Sequence, residues 1–183
     1  MKIPDKKIYY ISVHQFVDMT MTGGDLAISP VSTKRMQQGI ETHVKRQQEQ
    51  KKISELPLEY TSEGTCAAVS VKGRADIVDV SSETPIIEEI KTIFGVKNNI
   101  LKQEHLAQCK CYCAMYLIKE NLTKIGACIT YIEYESSRTQ FFEYEYTRDE
   151  ILDWFYEKLN YILSIFERRQ EHINKRNLSA TEL

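Results

Sequence analysis

From the amino terminus, apolar positions fall first in a short run, Ile8-Tyr9-Tyr10-Ile11, and then at helical spacing, with Val13, Phe16 and Val17 on one face. Ser12 is placed to cap that helix, which runs through Met21 until Thr22-Gly23-Gly24-Asp25 ends it. Ser32 or Thr33 opens a second helix that reaches about Lys52, with Gly39 inside it. After Pro57 the period changes to two. Residues 58–62, 66–71, 74–80 and 85–92 read as strands, with turn chemistry at Ser62-Glu63-Gly64, Lys72-Gly73 and Ser81-Ser82-Glu83-Thr84. A helix over 101–120 follows, then strands over 125–134 and 139–146 joined by Glu135-Ser136-Ser137-Arg138. Thr147 and Glu150 have capping-box spacing and start a closing helix over 148–175, whose Ile151, Leu152, Phe155, Leu159, Ile162, Leu163 and Phe166 form an apolar stripe. The order predicts one mixed α/β domain over 1–183, with a central sheet flanked by helices.

Length and composition narrow the class. At 183 residues, 42% hydrophobic and 27% charged, the chain can bury a core without disulfides or a structural metal. No apolar run approaches the roughly 20 residues of a membrane span, and Ile8–Ile11 is too short and too polar in its surroundings for a secretory leader. Five cysteines without framework spacing point to a reducing compartment, so a cytoplasmic location and no membrane partner are expected.

The net charge of −2 conceals an asymmetry. Residues 1–52 carry nine basic side chains (Lys2, Lys6, Lys7, Lys34, Arg35, Lys45, Arg46, Lys51, Lys52) against five acids (Asp5, Asp18, Asp25, Glu41, Glu49). Residues 125–167 carry Arg138, Arg148 and Lys158 against Glu133, Glu135, Glu143, Glu145, Asp149, Glu150, Asp153, Glu157 and Glu167. One end can meet a polyanion that the other repels; two solvated faces give the same pattern.

The most informative stretch is Gly73-Arg74-Ala75-Asp76-Ile77-Val78-Asp79-Val80, a turn, and Pro85-Ile86-Ile87-Glu88-Glu89-Ile90-Lys91-Thr92. The second strand is apolar enough to lie inside a sheet. Alternation puts Ile87, Glu89 and Lys91 on one face and Ile86, Glu88 and Ile90 on the other. Half-burying Glu89 and Lys91 is expensive without a partner. If the turn joins the strands, Asp76 comes near the Glu89–Lys91 end, and two carboxylates with an ammonium form a site for a hard divalent cation. A salt bridge from Asp76 or Glu89 to Lys91 is the plainer alternative.

Gly73-Arg74-Ala75-Asp76 followed by Glu89-Ile90-Lys91 resembles the signature of the PD-(D/E)xK nuclease superfamily. Three further matches are similar to its RecB-like exonuclease branch: Gly39-Ile40-Glu41-Thr42-His43, Gln108-Cys109-Lys110-Cys111-Tyr112, and His105 before them. They stand in the family's order across 39–112. Ser12 to Leu26, ending in Gly24-Asp25-Leu26, and Gln108 to Tyr116 look like the nuclease domain that precedes a DinG-type helicase, and 176–183 resembles the junction to the motor. No Gly-x-x-x-x-Gly-Lys-Ser/Thr is present, so the chain is expected to be a stand-alone relative or a domain excised from a larger nuclease–helicase.

The resemblance implies a restriction-endonuclease-like fold and metal-dependent hydrolysis of DNA phosphodiesters, in repair, recombination or defence. It makes Asp76, Glu89 and Lys91 catalytic and gives a Mg²⁺ or Mn²⁺ ion the ligands His43, Asp76, Glu89 and the Ile90 carbonyl; an imidazole ligand favours Mn²⁺. Gln108 and Tyr112, four apart on a helix, would hold substrate; Tyr112 packing as a half-buried aromatic is the other reading. The implied partners are single-stranded or end-bearing DNA and a helicase in cis or trans. The alternative is a catalytically inactive nucleic-acid-binding domain of the same fold, a scaffold or DNA-loading module for a helicase. Ile77 follows Asp76 where many relatives have Gly. Glu55 or Glu59 is a candidate extra acid, and His14 and His172 have no constellation. Cys66, Cys109, Cys111, Cys113 and Cys128 lie within the core region, and Cys111 points away from Cys109 and Cys113 on a helix, so no iron–sulfur cluster is expected.

Overall fold

The chain runs β1 (Lys7–Ser12), α1 (Val13–Met21), α2 (Thr33–Gln50), β2 (Ile53–Glu63), β3 (Ala67–Asp79), β4 (Ile86–Ile93), α3 (Gln103–Lys119), β5 (Lys124–Glu133), β6 (Thr139–Thr147) and α4 (Arg148–Thr181). The computed structural model describes residues 6–21, 33–50, 52–94 and 101–181; the turn at 22–25, Leu26, Ser32 and the last two residues lie outside the described residues. Both expected caps form. The Ser12 amide donates to Gln15 Oε1 at 2.8 Å while the Gln15 amide donates to Ser12 Oγ at 3.1 Å. At the start of α4, the Thr147 amide and hydroxyl both donate to Glu150 Oε2 at 2.8 Å.

The six strands form one mixed sheet in the order β1-β3-β4-β5-β6, with β2 also paired to β3. β1 runs parallel to β3 and β4 parallel to β5, while β2–β3, β3–β4 and β5–β6 are antiparallel. β4 is therefore interior, as its apolar flanks predict. On one face α1, α3 and α4 pack with the sheet around Phe16, Val69, Val71, Ile87, Met115, Leu117, Ile129, Phe155, Leu159 and Ile162. α2 lies against β3 and β4 with no buried side chain among those described. No helix among the described residues is long and apolar enough to cross a membrane.

The expected element boundaries need four corrections. Ile8–Ile11 belongs to β1; a single short run beside polar residues carries no periodicity to mark it. Lys72-Gly73 is not a turn but lies inside the thirteen residues of β3, paired with Glu59 and Leu58 of β2. The glycine serves a close approach instead: a Cβ there would stand 2.7 Å from Tyr112 Cε1 and 2.8 Å from Val13 Cγ2. β2 begins at Ile53, before Pro57, which it accommodates because, among the described residues, β2 pairs only with β3 and has a second, unpaired edge. α4 continues past 175 to Thr181, so residues 176–181 are helix.

Candidate active site

β2 occupies one edge of β3 from Ala68 to Val78, which leaves β1 and β4 to share the other. β1 takes Ala67–Lys72 and β4 takes Ile77–Asp79. Between them, among the described residues, Gly73-Arg74-Ala75-Asp76 has no strand beside it on that edge, and the sheet forks there. Asp76 stands at the fork. Its Oδ2 accepts the Ile90 amide at 2.7 Å, where a ladder carbonyl would otherwise serve. Val69, Val71, Ala75 and Val78 join the core cluster and Ile77 does not, so two-residue alternation breaks around Asp76. Glu55, across the β2–β3 ladder, takes a φ of 53°. Gln47 of α2 donates to the Asp76 carbonyl at 3.1 Å and to Glu55 Oε1 at 2.9 Å.

Glu89 is 5% exposed. Its Oε1 accepts Lys91 Nζ at 2.7 Å, and its Oε2 is buried without a hydrogen-bond partner. The ion pair thus forms along β4, between side chains that alternation places on one face, and not across the hairpin. Burial pushes the Glu89 carboxyl up to about 7; Lys91 opposes the shift and the Asp76 charge adds to it. Glu88 points to the other face, toward α2, where Arg46 Nε donates to its Oε1 at 2.9 Å.

The other expected residues gather around this pair. His43 of α2 faces Asp76, Nδ1 to Oδ1 at 3.8 Å. Gln108 and Tyr112 lie on the same face of α3, both buried, and Gln108 Oε1 has no partner. The Tyr112 ring lies under Gly73, the Arg74 amide supports its oxygen, and burial beside Glu89 and Asp76 holds the phenol well above its ordinary value. It is both a core aromatic and a wall of the site. His105 shares a hydrogen bond with the Tyr131 hydroxyl at 2.8 Å, and burial, then Lys91, pushes its imidazole down to about 3. Of the two candidate extra acids, Glu59 is taken by the Ser70 hydroxyl at 2.6 Å and Lys72 at 3.1 Å, whereas Glu55 sits on the Gln47 side of Asp76.

Two groups were not legible in the sequence. His14, in the first turn of α1, lies close enough to Lys91 and Asp76 for both charges to act on its imidazole, which partial burial and Lys91 hold below its ordinary value. The Ser12–Gln15 box fixes that turn, but nothing in the sequence ties it to strands more than sixty residues on. The second is Arg46–Glu88, joined by the Thr130 hydroxyl, which donates to Glu88 Oε1 at 2.6 Å.

Among the described residues, no three His, Cys, Asp and Glu side chains stand already assembled to hold a metal ion. One oxygen of each carboxylate is committed, Asp76 Oδ2 to the Ile90 amide and Glu89 Oε1 to Lys91. What remains is Asp76 Oδ1 beside His43 and the orphaned Glu89 Oε2. Two carboxylate oxygens and an imidazole fit Mg²⁺ or Mn²⁺ by donor type, and a buried acceptor lacking a donor is what a cation satisfies. Cys109, Cys111, Cys113 and Cys128 are buried; Cys109 Sγ donates to the Ile87 carbonyl at 3.4 Å and Cys113 Sγ to that of Gly126 at 3.6 Å.

No protein-family model matches the chain, and no curated protein matches it in sequence. The crystal structures similar in fold include SSO0001 and LHK-Exo. SSO0001 superposes with a TM-score of 0.56 at 21% identity, over 82% of this chain and 75% of that one. LHK-Exo in complex with dAMP superposes with a TM-score of 0.50 at 14% identity, over 92% of this chain and 93% of that one. At these identities the likeness is one of architecture: the mixed sheet flanked by helices is restriction-endonuclease-like.

Proposed function

We propose that the chain is a divalent-metal-dependent deoxyribonuclease whose active site is the fork between β3 and β4. One observation carries the reading: Asp76 and Glu89 come from adjacent strands to the open end of their ladder, and Glu89 Oε2 is buried there with no partner. A structure that leaves a carboxylate oxygen dry and unpaired loses stability unless a cation or donor completes it. The fold shared with an exonuclease and the ordered motifs from His43 to Tyr112 support the same reading.

Asp76, Glu89, His43 and the Ile90 carbonyl would hold the ion, which would supply Lewis acidity toward water and the scissile phosphate. The chain's own groups do the rest. Lys91 is a compact ammonium with three donors; one meets Glu89, and the others orient water or stabilise charge that develops on the phosphoryl oxygens. Asp76 keeps its carboxylate aimed because the Ile90 amide locks Oδ2. Gln108 offers a buried acceptor to water or substrate, and Tyr112 walls the site under Gly73. Single-stranded or end-bearing DNA is the substrate in this reading. The RecB-like branch, a helicase in cis or trans, a cytoplasmic location and a role in repair, recombination or defence belong to it as well.

End-labelled single- and double-stranded DNA, incubated with Mn²⁺ and the wild-type chain or Lys91→Ala, tests the proposal. Cleavage by wild type that EDTA stops and the variant lacks supports it. Equal cleavage by both would overturn the catalytic assignment of this site, and none by a wild type that binds DNA would favour a non-catalytic domain of this fold.

A further inference from the structure

α2 is fastened to the sheet without an apolar anchor. Met36, Ile40 and Val44 are 65%, 57% and 44% exposed, and no described side chain of the helix is buried. Beside the Arg35 guanidinium over the Phe94 ring, three polar links join it to the sheet. His43 faces Asp76, and Gln47 donates to the Asp76 carbonyl and to Glu55. The most enclosed link is the third: Arg46 donates to Glu88, with side-chain exposures of 17% and 6%, while the fully buried Thr130 donates to the same oxygen. The Arg46 guanidinium also lies 5.4 Å from the centre of the Phe141 ring.

A buried ion pair adds little net stability compared with apolar packing of the same volume, yet its geometry is demanding. Arg46 stands one turn from His43 on the same side of α2. Glu88 is adjacent to Glu89 but faces away from it, so it cannot act on the same ion. We propose that Arg46, Glu88 and Thr130 are positioning residues: they form a strut that sets the depth of α2 over the sheet and thereby holds the His43 imidazole against Asp76. The inference rests on the reading of the fork as an ion site, and the test separates the two.

The experiment uses the full chain as wild type, Arg46→Met, His43→Ala, the double variant, and Lys45→Met, which removes an equal charge from the exposed side of α2. Two quantities are read: the His43 ring-proton resonance at fixed pH without metal, and Mn²⁺ affinity by electron paramagnetic resonance. Arg46→Met is expected to move the resonance and Lys45→Met to leave it. Arg46→Met weakens Mn²⁺ binding about tenfold alone, and less than about twofold on top of His43→Ala. Arg46→Lys, which keeps a cation beside Glu88, recovers part of the loss. A folded Arg46→Met with an unmoved resonance, or an affinity loss as large without His43 as with it, overturns the strut. If the wild type binds no Mn²⁺, the ion-site reading fails and the resonance alone decides the strut. Should Arg46→Met not fold, Glu88→Gln supplies the same two measurements.

Discussion

The Ile90 amide donates to Asp76 Oδ2 across 2.7 Å, so the carboxylate proposed to bind an ion also closes the backbone ladder at the fork. Asp76→Asn keeps an acceptor for that amide, and Asp76→Ala does not. The alanine variant should lose about 1–3 kcal/mol by urea unfolding, because it orphans a part-buried donor. The asparagine variant should lose less than about 1 kcal/mol. Both should lose more than about 100-fold in Mn²⁺-dependent cleavage. Equal stability losses would mean that the hydrogen bond contributes nothing to the fork.

Glu89 gives stability a distinct pH signature. Burial holds its carboxyl up to about 7, above its ordinary 4.5. Between those values the folded chain keeps a proton that the unfolded chain has lost, so stability contributed by this group falls as pH rises through the window. Glu89→Gln should remove that slope and, in EDTA, exceed wild type at pH 8 by about 1–3 kcal/mol. Urea unfolding at pH 5 and pH 8 checks it; parallel behaviour of the two proteins would refute the assignment.

Lys91 both serves the proposed chemistry and holds the Glu89 carboxyl down against burial. Lys91→Met should therefore cut cleavage by about 10²–10³-fold while Mn²⁺ binding survives with its pH dependence moved upward. A titration of bound Mn²⁺ from pH 6 to pH 9 reads the shift. An unmoved profile would show that the two side chains do not sense each other.

Gly73 lies against Tyr112 with no room for a Cβ. Gly73→Ala should destabilise the fold by about 1–3 kcal/mol through overpacking. Because Tyr112 and Gln108 ride on one helix face, it should also lower cleavage under conditions where the protein remains folded. Thermal unfolding and single-turnover rates on the same sample separate the two effects.

The sequence carried the interior strand and its chemistry because alternation is strong there: Glu89 and Lys91 meet, and Glu88 turns away, as period two requires. The helix caps were legible for the same local reason. β1 was not, since its placement beside β3 depends on a parallel pairing sixty residues distant. Gly73 was misread as a turn because a glycine for close approach and a glycine for a bend look alike until Tyr112 is placed over it. His14 and the Arg46–Glu88 pair depend on tertiary contacts between segments with no shared periodicity.

The two halves of the fork differ in how they resist opening. Asp76, Glu89 and Lys91 sit on strands clamped by an apolar core, whereas the imidazole arrives on a helix whose described tethers are charged, amide and cation–π contacts. In native-state hydrogen exchange, α2 should behave as a separate low-energy unit whose amides exchange well before those of β4, and faster at high ionic strength. Occupancy of the fork by a cation would then appear as protection spreading into α2, a readout of loading that needs no nucleic acid at all.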